Sequence, residues 1–326
     1  MNTKIYIYGL CDVFYDSYYI QGIKEVYNNY TFNVSKFPNF RQGTFAVIIE
    51  NDQYSKRIII DSTDKTNISV ELLDWCDAYG KVNYNEKNLP SLNQEKIIAI
   101  GPSFGIKIWN IISTFYYSFF NYIKFRVSIT NKREFVANYW RQYKRSRLEE
   151  YSLSKSSQND VFFMNSIWKE EQQTNNYRAL FIGICKSIKE LNFEGGFAAR
   201  KNGDNLGYDE LVYSKIIPLK IYLKKIKQSV LVFSTPAVLS CHGWKLAEFL
   251  ALGKAIISTD HYNILPSDLI HNKHVIYAND EKTIKNAVEL LIDDIEFKHK
   301  LEYNARKYFD DNLAPKRVIE NLIKRI

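Results

Sequence analysis

The chain has 326 residues, of which 46% are hydrophobic and 25% charged, a balance that excludes global disorder and suits two packed domains. Lys and Arg outnumber Asp and Glu by 44 to 36, for a net charge of +8 and an isoelectric point near 9.0. That surplus narrows the partners to nucleic acid, an anionic membrane surface or a phosphate-bearing small molecule. Four scattered cysteines, Cys11, Cys76, Cys185 and Cys241, form no paired framework and no CxxC, so they read as reduced cytoplasmic thiols, not staples or zinc ligands.

The N-terminal run MNTKIYIYGL enters a strand at once, Lys4–Tyr8, without the basic region and apolar core of a signal peptide. A helix follows over Ser17–Tyr27, with Tyr19, Ile20, Ile23 and Val26 on one side. Strands rich in Ile and Val are expected at Thr44–Glu50, Arg57–Asp61 and Ile97–Ile100, with a helix at Val70–Asp77. This alternation predicts an α/β fold with a mostly parallel sheet covered on both faces. The most apolar stretch, Ile106–Phe125, is interrupted by Asn110, Ser113, Ser118 and Asn121 and is too polar to span a membrane.

Between Trp109 and Arg147 aromatic residues crowd together and are followed by Lys132, Arg133, Arg141, Lys144, Arg145 and Arg147. Three readings stand: an anionic membrane surface, single-stranded nucleic acid, or an aromatic helix packed in the first domain with a solvated basic face. The Ser-rich stretch Leu153–Asp160 is the clearest linker, which sets expected domains at 1–155 and 156–326, with the final helix able to pack back on the first domain. The second half restarts the alternation: a strand at Val161–Trp168, a helix at Asn175–Leu191, a strand at Asn192–Phe197, a helix at Pro218–Lys227 and a strand at Val230–Phe233. A helix at Gly243–Leu252, strands at Ala255–Ser258 and His274–Tyr277, and helices at Glu281–Ile292, Glu296–Asp310 and Pro315–Ile326 complete it.

The most informative segment is VLVFSTPAVLSCHGWKLAEFLALGKAIISTD, Val230–Asp260. Gly243 opens a helix whose amide-rich start and dipole suit a pyrophosphate, and Lys245 in its first turn adds charge. Glu248, three residues on, shares that face and can accept from two ribose hydroxyls. Gly253 fits a left-handed cap before the strand AIIS. The bland alternative is a surface Lys–Glu pair of little energetic weight.

The string KLAEFLALGKAIIST resembles the donor-binding helix of glycosyltransferase family 4, the group 1 enzymes of GT-B architecture, which show K-L-x-E-Y/F-x-A-x-G-K-P-V-I here. The closing VELLIDD…LEYNARKYFDDNLAPKRVIENLI is similar to that family's terminal helices. The resemblance implies two Rossmann-like domains with a cleft between them, an N-terminal acceptor domain and a C-terminal domain for a nucleotide sugar. The donor would be a UDP- or GDP-sugar used as substrate, with no cofactor or metal. It makes Glu248 the ribose ligand and Gly243, Trp244 and Lys245 the phosphate end, and puts a phosphate-contacting cation at Lys169. The first carboxylate of the family's Glu-x7-Glu pair falls on Ser240, and His242 stands near the sugar position as a candidate catalytic group or a packed core histidine.

Further candidates are Gly195, Gly196 and Arg200 in FEGGFAAR, read as a phosphate-cradling turn with a cation. Glu194 is a possible sugar contact. In the loop after the first strand, Asp12 and Asp16 are candidates for the acceptor base or its surroundings, with helix capping the alternative, foremost for Asp16. Ser103, in the turn after IIAI, is a candidate acceptor contact. The expected activity is hexosyl transfer to a saccharide or lipid-linked saccharide in surface polysaccharide synthesis, in the cytoplasm or on the inner face of the membrane, with no nucleic acid partner. A nucleotide-sugar epimerase of the same fold and a non-catalytic nucleotide-binding subunit are the alternatives.

Overall fold

A computed structural model describes residues 3–325. The chain divides into two compact units. The first takes the chain up to Glu150, Ile264–Pro266 and the C-terminal segment from Asp311; the second takes Tyr151–Asn263 and Ser267–Asp310. The division therefore falls just before the Ser-rich stretch.

The first unit runs β1 (Lys4–Tyr8), α1 (Ser17–Tyr27), β2 (Thr31–Asn33), β3 (Phe45–Glu50), β4 (Ser55–Asp61), α2 (Val70–Trp75), β5 (Ala78–Lys81), β6 (Ile97–Ala99), α3 (Ile111–Phe125) and α4 (Lys132–Tyr143). Its sheet has the order β2-β1-β3-β4-β5-β6. All neighbours are parallel except β3, which runs against both β1 and β4. The reason lies in the connection: a tight turn closed by Asn51 N–H on Tyr54 C=O at 3.0 Å joins β3 to β4, and so short a link can only reverse the chain. β2 and β5 escape sequence reading. The first is three residues long, and the second, AYGK, carries a lysine into a fully buried strand. Lys81 is tolerated there because its ammonium meets Asp61 at 2.8 Å, and Tyr79 donates to the same carboxylate at 2.7 Å. The C-terminal helix, Pro315–Ile323, lies along α1, so close that a Cβ on Gly22 would meet Pro315 C=O at 2.3 Å.

The second unit runs β7 (Asp160–Ser166), α5 (Gln172–Ser187), β8 (Asn192–Ala198), β9 (Val212–Tyr213), α6 (Leu219–Gln228), β10 (Val232–Ser234), α7 (Trp244–Ala251), β11 (Ile256–Ser258), β12 (Ile276–Tyr277), α8 (Glu281–Asp293) and α9 (Ile295–Tyr308). The ladders β7-β8-β9 and β10-β11-β12 are parallel throughout. Val230 N–H donates to Asp160 C=O at 2.7 Å and Phe162 N–H to Ser229 Oγ at 2.9 Å, which sets the start of β10 beside the start of β7. The two three-stranded sheets, β9-β8-β7 and β10-β11-β12, thus meet at β7 and β10 in the 3-2-1-4-5-6 succession of a doubly wound Rossmann fold. Phe163, Phe181 and Phe233 fill its centre, the last two stacked at 4.6 Å.

Gly195 and Gly196 correct an expectation. They lie inside β8, not in a turn after it, with φ of +126° and +151°. A Cβ would meet Phe163 C=O at 1.8 Å on Gly195 and Leu211 C=O at 2.3 Å on Gly196. Their missing side chains let β7 and the entry to β9 close on β8.

Candidate functional site

In an open parallel sheet, ligands bind beyond the carboxyl ends of the strands where strand order reverses. Here that point lies between β7 and β10. Two helices start beside it: α5 after β7, and α7 after the loop Thr235–Gly243 that follows β10. Arg178 of α5 ties the two strand ends together. Its guanidinium donates to Thr235 Oγ1 at 2.9 Å, Ser166 C=O at 2.8 Å and Pro236 C=O at 3.3 Å. Burial lowers its pKa to about 10, so it remains charged at neutrality.

The β10–α7 loop is tightly organised. Ala237 N–H donates to Cys241 C=O at 2.9 Å, and Leu239 and Ser240 both take left-handed backbone, φ 54° and 55°. Consecutive left-handed non-glycine residues are costly and cluster at functional loops. Glu171, just before α5, accepts from Leu239 N–H at 2.6 Å and holds the strained turn. Gly243 is the N-cap of α7 and, as a glycine, brings no side chain of its own to that end. The far end closes as the sequence predicts: Gly253 at φ +57° lets Lys254 N–H reach Phe249 C=O and Gly253 N–H reach Leu250 C=O, each at 3.0 Å.

From this start the side chains turn inward. Lys245 donates to Met164 C=O of β7 at 2.5 Å, and its ammonium lies 3.2 Å from the Tyr222 hydroxyl. Burial is the largest influence on it and, against the nearby Glu248 carboxylate, lowers its pKa to about 8. Glu248 is only 5% exposed. The Tyr151 hydroxyl meets its Oε1 and the Tyr222 hydroxyl its Oε2, each at 3.5 Å. Both contacts are long for O–H donors. The surface Lys–Glu pair that spacing alone allows is therefore replaced by a cluster with Glu248 buried and Lys245 half-buried above it.

Trp244 is the first helical residue, half-buried. His242 is buried, its ring 5.5 Å from that of His261, whose own pKa burial depresses to about 4. Lys169 is not drawn into the strand ends: its side chain is 73% exposed beside Glu170, and Arg178 supplies the cation there instead. Arg200 folds back on its own loop, donating to Asp204 C=O at 2.9 Å. Glu194 is taken by Lys225 and Tyr213.

In the first unit, Asp12 Oδ1 accepts from Phe14 N–H at 3.0 Å and Oδ2 from Asn138 at 2.7 Å. Burial raises its pKa. Asp16 sits at the N-cap of α1 without capping it; its carboxylate accepts from Asp12 N–H at 2.9 Å instead. Fully buried beside Asp12, its carboxyl is pushed well above the usual range, first by desolvation and then by that neighbour. Ser103 is buried and accepts from the Tyr19 hydroxyl at 3.0 Å, a packing contact and not an open one. Among the described residues no group of three His, Cys, Asp or Glu stands close enough to hold a metal, and no helix is long and apolar enough to cross a membrane.

Sequence reading missed Arg178, Tyr151 and Tyr222. The first sits in an otherwise ordinary helix, and the tyrosines reach Glu248 from 97 and 26 residues away, so no local spacing marks them.

No protein-family model matches the chain, and no curated relative matches its sequence. Among solved structures, the chain is similar to TarM at 13% identity and a TM-score of 0.45, with 81% of this chain and 48% of TarM covered. It is similar to a glycosyltransferase from Rickettsia africae at 11% identity and 0.43, covering 79% and 67%. It is also similar to the C-terminal domain of a group 1 family glycosyl transferase, LpcC, from Francisella tularensis at 11% and 0.35, covering 50% and 95%. The chain thus spans about half the length of TarM.

Proposed function

We propose that the chain is a GT-B glycosyltransferase moving a hexose-type sugar from a UDP- or GDP-sugar to a saccharide or lipid-linked acceptor, in surface polysaccharide synthesis on the cytoplasmic face of a membrane. One observation carries the reading: the start of α7, with glycine at its N-cap, lies at the strand-order reversal, with Lys245 in its first turn and Glu248 one turn on. The helix start and Lys245 would bind the diphosphate and neutralise the charge that builds as the sugar leaves. Lys245 would exchange Met164 C=O for a phosphate oxygen, a trade of a neutral acceptor for a charged one. Glu248, met by two tyrosine hydroxyls at long range, would accept from the ribose diol. In the first unit, Asp12 is assigned as base for the acceptor hydroxyl; its raised pKa suits that task.

A second reading, a nucleotide-binding subunit without transfer, is favoured by Ser240, which offers no carboxylate where the resemblance expects one to hold the sugar. Incubation of the protein with UDP- and GDP-sugars and a saccharide acceptor panel separates the readings. The proposal expects a glycosylated acceptor and a free nucleoside diphosphate; an epimerised donor without acceptor, or binding without any turnover, would replace it.

A further inference from the structure

Helix α3 is built inside out. Its buried positions hold Thr114, Asn121 and Phe125, with Asn121 bonded to the Tyr139 hydroxyl at 2.9 Å. Its exposed stripe, at helical spacings of three and four, holds Ile112, Phe115, Tyr116, Phe119, Phe120 and Ile123, between 49% and 76% exposed. Val127, just past the helix, is 92% exposed. The stripe continues onto α4: the Phe115 ring lies 6.5 Å from that of Trp140, and Arg133, Val136, Trp140 and Lys144 share one exposed face. A contiguous apolar surface of this kind is rare on a protein that nothing covers.

The charges around it identify the cover. Between positions 107 and 148 the chain has nine Lys and Arg and a single carboxylate, Glu134, itself paired with Arg141. That segment alone accounts for the whole net charge of +8, and the rest of the chain is neutral. Arg126, Lys132, Arg133, Lys144 and Arg147 are all exposed, and the Lys144 ammonium lies over the Trp140 ring at 5.3 Å. Exposed aromatics beside exposed positive charge match an interface with apolar chains below and anionic headgroups around it. A second copy of the chain would bring the same excess of positive charge against itself.

We propose that α3 and the exposed face of α4 form a docking surface for an anionic lipid bilayer, with Phe115, Phe119 and Ile123 entering the acyl boundary and the surrounding cations meeting headgroups. The inference stands on this surface and does not depend on the transfer reaction.

The test is sedimentation of the full chain with vesicles of phosphatidylcholine alone and of an equimolar mixture with phosphatidylglycerol. We expect binding to the mixed vesicles that is at least about tenfold tighter than to the neutral ones and that falls with salt. The variant F115S/F119S should lose at least about tenfold in partitioning. The variant K132A/R133A should lose about thirtyfold at low ionic strength. Both variants change exposed side chains, so an unchanged melting temperature and an unchanged thermal shift with nucleoside diphosphate verify that fold and nucleotide site are intact. Absence of vesicle binding would overturn the proposal. So would vesicle binding unaffected by both variants, or self-association in sedimentation equilibrium that F115S/F119S abolishes, which would assign the face to a second copy.

Discussion

On the proposed function, Lys245 makes nucleotide binding depend on one titration. Its pKa of about 8 means that the ammonium is charged at neutrality and is lost as pH rises through that value. The charged form binds phosphate, so affinity for a nucleoside diphosphate should stay level near neutrality and fall once the pH exceeds about 8. Bound phosphate favours the charged form and so raises this pKa, drawing a proton from the buffer at alkaline pH. Calorimetry in buffers of different ionisation enthalpy measures that uptake, and Lys245→Met should abolish both effects. Asp12 gives a separate signature: its burial-raised pKa predicts that transfer falls on acidification at a pH above the usual carboxylate range, since a base must be ionised, and the pH–rate profile of Asp12→Asn should lack that limb. Lys245 and Glu248 are legible in sequence because three-residue spacing on a helix is a local property. Tyr151 and Tyr222 are not, because tertiary folding alone brings them to Glu248. Lys169, expected as a phosphate contact, stands exposed, and the buried cation between the strand ends comes from the following helix, since proximity to a strand end in sequence does not fix where a long side chain points.

At the scale of elements, β8 shows how a turn signal can belong to a strand. Adjacent glycines usually punctuate, yet Gly195 and Gly196 carry positive φ within a continuous parallel ladder. Gly195→Ala should therefore cost about 3 kcal/mol or more from backbone strain and collision with Phe163. That corresponds to a fall of roughly 6–12 °C in the melting temperature. A phosphate-turn role would instead weaken nucleotide binding at an unchanged melting temperature. Arg178→Met removes the tie between the ends of β7 and β10 and leaves Ser166 and Pro236 carbonyls without that donor. We expect a loss of about 2–4 kcal/mol in urea unfolding, with weaker nucleotide binding. Strands dense in Ile and Val were readable from period and composition; β5 was not, because its lysine is buried only by courtesy of Asp61, 20 residues earlier. The reversal at β3 depended on a tight hairpin that the surrounding pattern of alternation obscured.

Across the whole molecule, the two units divide structural tasks that the sequence marks unequally. The second unit announces itself through one strand–loop–helix–cap–strand segment, and the meeting of its two three-stranded sheets at β7 and β10 puts the start of α7 where the strand order reverses. The first unit has no comparable motif, and its clearest message is the excess of positive charge and exposed aromatic surface on α3 and α4. The most direct test of the account is calorimetric titration of UDP and GDP into the wild-type chain and into Glu248→Ala. The account predicts that at least one of the two nucleotides binds the wild type, and that Glu248→Ala weakens it by tenfold or more, about 1.4 kcal/mol, as the ribose contact is lost. Failure of both nucleotides to bind the wild type, or binding that Glu248→Ala leaves unchanged, would contradict it.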